Sequence, residues 1–415
     1  MLKRPRLAAA FLLPAAACAL LVLQPRPDRA ALARRADAAS ELGWSRMVEG
    51  LTRPALTGIG GGGWVRLRDA VDGRTVELGP GMYVESQVYD LDWFLRGIAD
   101  GLGRPGDAAL ASEAVAILLK TQDPAGGHWP WSDDGCVHES LALALLSAGH
   151  RAEAERALRW AMRWAEAGHV LPDGTVLEVE SAHVMKSWGP SPAPPVPAGA
   201  GIPPPPQRMK IPTDTAPDEL PMLLRLLAAS GQERRYPETA RRLRQGLERA
   251  IRDFDYGPEE SADFKRLFGL VDYGAAVRDG LLPRDALYEQ SLRHLGHLAR
   301  REARKRPEDP LVLGLLLIGV AETELYPEIP DTADRLAAGL LSLQSSSGEW
   351  EMPPFIFEVD WVSWGRMLRD LLPGKPLRPL ASDRIVGRLE SLPTYLAARA
   401  LRSYARRARQ PLTGN

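Results

Sequence analysis

From residue 86 onward, apolar side chains recur at i, i+3 and i+4, the spacing of one helix face. The pattern predicts twelve helices, over about 86–101, 106–121, 136–148, 151–167, 216–230, 234–254, 262–278, 283–304, 309–323, 328–346, 358–372 and 383–409. Two kinds alternate. Stretches such as CVHESLALALLSAG, DELPMLLRLLAAS and DPLVLGLLLIGVAE are apolar nearly all round, as fully buried helices should be. Their partners, such as EAERALRWAMRWAEAG and YPETARRLRQGLERAIRDF, carry charge along one face. Twelve helices alternating in this way predict an all-α fold, six helical hairpins closed into a ring, an (α/α)6 toroid. An open solenoid is the alternative.

Ahead of the ring, residues 28–51 read as a helix. Glycines at 58 and 60–63 then break the pattern, and WVRLRDAV-DG-RTVEL reads as a small N-terminal β-hairpin turning at Asp72-Gly73. The expected organisation is a leader over 1–27, the helix and hairpin over 28–85, and the toroid over 86–409. A long insertion interrupts the toroid at about 168–214, with a short hairpin around Pro172-Asp173-Gly174 and a Pro-rich stretch over 190–206. Glu178, Glu180 and His183 in that insertion could form a lid over the ring, or an exposed hairpin.

At the N-terminus, Lys3, Arg4 and Arg6 precede an apolar run from Leu7 to Leu23. That is the pattern of a signal peptide or short signal anchor, so the expected location is exported or membrane-anchored, in a bacterial envelope or outside the cell. Arg26, Arg29, Arg34 and Arg35 flank the far side. The net charge of −1 gives no field that would favour nucleic acid. With Cys18 inside the apolar run, Cys136 stands alone and a disulfide framework is excluded. The basic C-terminal stretch YLAARALRSYARRAR reads as a solvated helix face, with contact to anionic lipid as the alternative.

Two loops repeat a pattern: QDPAGGHWPW from Gln122 and QSSSGEWEMP from Gln344. The second resembles the glutamine–tryptophan motif of squalene and oxidosqualene cyclases, whose superfamily includes the protein prenyltransferases and shares an α/α toroid. The resemblance covers these loops and the alternation over roughly 86–409. It implies a structural role for Gln344, Gly348 and Trp350: Gln ties helix-end carbonyls, Gly turns the chain, and Trp packs over the junction. It also implies an isoprenoid-like ligand. The chain departs from the cyclases where their acid sits: the nearest string to Asp-x-Asp-Asp is YDLDWF, with Trp93 in the last place. The prenyltransferase zinc pattern resembles DDGCVHES, with Asp134 and Cys136 at that spacing and His183 as a distant third ligand. The family's context around the His is missing, so the expectation is a turn followed by a buried Cys, with no metal and no cofactor. A phosphate loop and a Gly-x-Ser-x-Gly elbow are both missing from the sequence.

In a closed ring the N-termini of the inner helices converge on one mouth. Asp and Glu at helix starts are ordinarily caps, and TAPDE and RPEDP need nothing more. YDLDW, WPWSDD and FEVDWVSW mix acids with aromatic rings, which capping does not require. The candidate acids are therefore Asp90, Asp92, Asp134, Glu139, Glu358 and Asp360. The candidate binding residues are Tyr89, Trp93, His128, Trp129, Trp131, Trp361 and Trp364. Crowded carboxylates leave one protonated beside an ionised partner, which glycoside hydrolysis requires, and aromatic faces suit sugar rings. At fold level the layout is also similar to α/α-toroid glycosidases and polysaccharide lyases. A glycan-acting hydrolase or lyase is the first reading. An isoprenoid-handling protein and a non-catalytic scaffold are the alternatives.

Overall fold

The computed structural model describes residues 28–52, 65–69, 75–78, 84–129, 135–170, 172, 219–254, 256, 264–351, 355–358, 384–388 and 391–411. Thirteen α-helices, a π-helical turn (Ala165–His169) and four strands are set out in these residues. In chain order they are α1 (Arg29–Thr52), β1 (Val65–Asp69), β2 (Thr75–Leu78), α2 (Val84–Ala99), α3 (Asp107–Thr121), α4 (Gly135–Ser147), α5 (Arg151–Trp164), α6 (Glu219–Ser230) and α7 (Pro237–Arg252). Then follow α8 (Phe264–Arg278), α9 (Ala286–Glu302), α10 (Pro310–Ala321), the single turn α11 (Leu325–Glu328), α12 (Pro330–Leu343), β3 (Phe355–Glu358), β4 (Arg384–Arg388) and α13 (Ser391–Ala408).

Six of these helices form a closed inner ring. Each of α2, α4, α6, α8, α10 and α13 packs against the next, and α13 returns to α2. Their sequences explain the placement. In α10 all twelve residues, Pro310 to Ala321, are buried, because an inner helix has neighbours on every side. The Asp309 carboxylate caps it by accepting from the Leu311 and Val312 amides at 2.8 and 3.4 Å. Outer helices bury one stripe only: α7 turns Leu243, Leu247 and Ile251 inward and leaves its arginines at the rim.

The N-terminal helix belongs to the ring, which corrects the boundary expected at residue 86. Helix α1 packs along α13 and beside α12 as the sixth outer helix. Residues 359–372 of the inner helix expected over 358–372 lie outside the described residues, and the sixth inner position is taken by α13. Leu396, Ala397, Ala400, Leu401 and Tyr404 are buried there, so α13 is not a solvated outer helix. Residues 355–358 are strand, as their aromatic and β-branched run Phe-Ile-Phe favours. Ile385-Val386-Gly387 likewise form a strand, and the last helix starts only at Ser391. The expected hairpin is present, with Val65 opposite Leu78, and it extends into a four-stranded sheet of order β2-β1-β4-β3. No described helix is long and apolar enough to cross a membrane, and the apolar run 7–23 lies outside the described residues.

The two glutamine–tryptophan loops fasten neighbouring outer helices. The Trp129 indole N–H donates to the Leu118 carbonyl at 3.1 Å, and the Trp350 indole to the Leu340 carbonyl at 2.8 Å. Each loop thus caps the end of its own outer helix with the ring nitrogen of Trp. Gln reaches further than a helix-end tie. Gln122 Nε2 donates to the Gly127 and Glu153 carbonyls at 2.8 and 3.0 Å, joining α3 to α5. Gln344 Nε2 donates to the Gly348 and Ala39 carbonyls at 2.9 and 3.1 Å, joining α12 to α1 and so the end of the chain's outer layer to its beginning. Gly127 and Gly348 hold φ of 85° and 98°, where a side chain is strained. A Cβ on Gly127 would also stand 2.3 Å from the Arg156 carbonyl oxygen.

Candidate functional site

Every outer helix ends and every inner helix begins at one end of the ring, and the chain segments that join them there are 53–83, 122–134, 165–218, 253–263, 303–309 and 344–390. Those connecting inner to outer helices at the other end are short, such as 100–106 and 148–150. The inner helices therefore start at the long-connection end.

A charged and aromatic cluster fills the axis below those starts. Trp93 of α2 meets Phe268 of α8 edge-on at 6.2 Å and stacks on Tyr395 of α13 at 5.7 Å. Helices α2 and α8 are first and fourth in the ring, so the Trp93–Phe268 contact spans its centre and forms a floor. The Arg96 guanidinium lies over both rings, 5.0 Å from the centroid of Trp93 and 5.8 Å from that of Phe268. It also reaches Met222 Sδ of α6 at 3.2 Å and pairs with Asp92 Oδ2 at 3.3 Å. Ser140 of α4 closes the group: its Oγ donates to Asp92 Oδ1 and accepts from Arg96 Nε. Five of the six inner helices thus contribute to one assembly.

Asp92 is only 1% exposed. Burial, the largest influence, pushes its carboxyl above the ordinary range, and the nearby charge of Asp272 on α8 pushes the same way. Arg96 and Ser140 pull it down without offsetting the burial. A carboxyl held towards its neutral form, with a second carboxylate near it, is equipped to give up a proton.

A second cluster lies below the first. The Tyr395 hydroxyl donates to Asp100 Oδ2 at 2.7 Å. Buried Arg399 sits 3.3 Å from Asp100 and 2.8 Å from Glu322. Glu322 also accepts from Ser403 at 2.7 Å and pairs with Arg278. Burial pushes the Glu322 carboxyl up, but the Arg399 and Arg278 charges, with the Arg399 and Ser403 hydrogen bonds, bring it down to about 2.

The candidate residues fall in several places. Asp92 and Trp93 belong to the floor assembly. Glu139 is fully buried on α4 beside Ser140. Tyr89 and Asp90 lie on the first half of α2, Cys136 on the first turn of α4, and Glu358 ends β3, opposite Arg384. Trp129 is fully buried in its loop, spent on capping α3. His128 is buried against Trp160 at 5.7 Å, with Asp123 3.5 Å from its Nδ1, in the outer layer. Asp134, Trp131, Asp360, Trp361, Trp364, Glu178, Glu180 and His183 lie outside the described residues. Among the described residues no three His, Cys, Asp or Glu are grouped to hold a metal ion.

Arg96, Ser140 and Asp272 were missed in the sequence. Each shares its helix with other polar residues, Asp90 and Asp92 beside Arg96, His138 and Glu139 beside Ser140, and Lys265 and Arg266 ahead of Asp272, so no local pattern singled it out.

No protein-family model matches the chain, and no curated protein matches it. Solved structures share its fold. An unsaturated glucuronyl hydrolase specific for heparin is 12% identical with a TM-score of 0.51, over 92% of this chain and 99% of that one. A protein from Actinoplanes is 14% identical with a TM-score of 0.50, over 92% and 100%. A type II terpene cyclase from Scytonema is 11% identical with a TM-score of 0.49, over 91% and 98%. At such identities the likeness is one of fold: this chain is built as an α/α toroid.

Proposed function

We propose that this toroid is an exported or membrane-anchored enzyme that cleaves glycans, by hydrolysis or elimination, at the long-connection end of the ring. The observation that carries the reading is the buried Asp92 carboxyl, raised by burial and by Asp272, beside a cation on an aromatic floor. Asp92 is the general acid in this reading. Asp90, Asp134, Glu139, Glu358 and Asp360 supply the partner carboxylate, and Tyr89, Trp93, Trp131, Trp361 and Trp364 supply faces for sugar rings. The Arg96 guanidinium favours a substrate carrying a carboxylate or sulfate. The fold shared with a glucuronyl hydrolase agrees with this and goes no further than fold.

The aromatic floor of Trp93, Phe268 and Tyr395 is the one feature that favours an isoprenoid ligand instead. Arg96 weighs against it. A guanidinium 5.0 Å from the Trp93 ring would repel a carbocation held on the same ring. A panel of neutral, uronate-bearing and sulfated polysaccharides, incubated with the full-length protein, tests the proposal. Product is expected from the acidic glycans, and Asp92→Asn should lower kcat about 100-fold or more while the protein stays folded. Turnover unchanged in that variant would remove Asp92 from the chemistry.

A further inference from the structure

The opposite end of the ring, where α2, α8, α10 and α13 finish, carries a cavity of about 470 Å³. This is the size of a small-ligand site. Asp100, Arg278, Glu322, Glu324, Arg406 and Arg407 are in its wall. The carboxylates there already have cations. Asp100 has Arg399 at 3.3 Å, Glu322 has Arg399 at 2.8 Å together with Arg278, and Glu324 has Arg284 at 2.9 Å. Arg406 and Arg407 differ: among the described residues neither stands within ion-pair distance of a carboxylate. Arg406 donates to the Gly101 carbonyl at 2.9 Å. Arg407 donates to Gln410 Oε1 at 2.7 Å and lies 5.8 Å over the Tyr326 ring. A cation at a helix C-terminus complements the dipole, which accounts for the bond to Gly101. It does not account for two surplus guanidiniums beside a cavity whose other charges cancel.

The course of the chain says what could fill it. Helix α1 starts at this same end, through a continuous line of contacts. Arg29 pairs with Asp334 at 2.9 Å, the Tyr404 hydroxyl donates to Asp334 at 2.7 Å, Tyr404 meets Tyr326 at 6.4 Å, and Arg407 lies over Tyr326. Only Gln24 to Asp28 separate that start from the apolar run Leu7–Leu23, and a chain that short spans about 20 Å at most. A bilayer holding the run would therefore lie close to this end, and anionic headgroups there would meet Arg406 and Arg407.

We propose that this cavity binds the phosphate group of an anionic membrane lipid through Arg406 and Arg407, which turns the long-connection end of the ring away from the bilayer. The lipid as source rests on the anchored reading above; the phosphate site itself does not. Full-length protein in neutral maltoside micelles, titrated with short-chain phosphatidylglycerol, provides the test by calorimetry. Saturable binding is expected, weakened roughly thirtyfold in an Arg406→Gln/Arg407→Gln double variant and unchanged in Arg241→Gln on exposed α7. Phosphatidylcholine should bind more weakly. Absent binding, or equal binding by the double variant, would overturn the site. Glycerol phosphate binding as tightly as the lipid would reassign it to a soluble phosphate and overturn the lipid. Whether the protein resists high-salt washing from membranes is read separately, and a failure there leaves the micelle titration standing.

Discussion

Two buried charge clusters share the axis of the ring, one around Asp92 and one around Glu322, and they are built from the same residue types. Each has a carboxylate, arginine, a serine hydroxyl and Tyr395 at or near its edge. Both carboxyls are pushed up by burial. Glu322 nevertheless falls to about 2, and Asp92 stays raised. The difference lies in the count of cations. Glu322 has two guanidiniums, from Arg399 and Arg278, whereas Asp92 has Arg96 alone and feels the charge of Asp272. One arrangement holds a permanent anion and locks helices together. The other holds a carboxyl pushed towards its neutral form.

The comparison breaks most visibly at Arg399. Replacing it with Leu leaves Glu322 and Asp100, both part-buried, with Arg278 on Glu322 as the remaining cation. The expected loss is about 3–5 kcal/mol in chemical denaturation. A loss under 1 kcal/mol would mean the lower cluster is solvated and structurally idle. The next effect is a pH window. Glu322 falls from 4.5 to about 2 in the folded chain, so its stabilisation is complete above pH 4.5 and is lost as pH falls towards 2. The size is on the order of 3 kcal/mol. Glu322→Gln should flatten the acid side of the stability curve over that window. An equally steep acid limb in the variant would place the linkage elsewhere.

Much of the ring was legible because burial on all sides leaves a plain mark. Leu311 to Ala321 could only be an inner helix, and the stripe of α7 could only be an outer one. The last helix was misplaced because its arginines read as surface. Arg399 is buried and paired with the ends of both neighbouring inner helices, and pairing between residues distant in sequence leaves no local trace. The partnership of β3 with β4, some thirty residues apart, was hidden for the same reason. Helix starts were also misjudged in depth. Asp92 was read as a rim residue, yet α2 begins at Val84, so Asp92 stands more than two turns inside and becomes part of the floor. Ser140 follows His138 and Glu139, and Asp272 shares its helix with Lys265, Arg266 and Arg278, so neither stood out until the helices were packed.

The smallest effect tests the upper cluster by its sign. A carboxyl whose folded pKa is raised subtracts stability once the unfolded chain has ionised. For Asp92 the cost begins as pH rises past the ordinary aspartate value of 3.8 and is complete above its folded pKa. This is the reverse of Glu322. Asp92→Asn keeps an acceptor for Ser140 and removes the titration. The variant should therefore gain on the wild type as pH rises from 4 upward, measured as the difference in unfolding free energy between the two. The Arg96 ion pair forms only with ionised Asp92, so it is already part of the folded pKa and adds no separate dependence on pH. A difference that shrinks with rising pH would show that Arg96 and Ser140 outweigh burial, that Asp92 is a permanent anion like Glu322, and that the upper cluster is a second lock rather than a proton source.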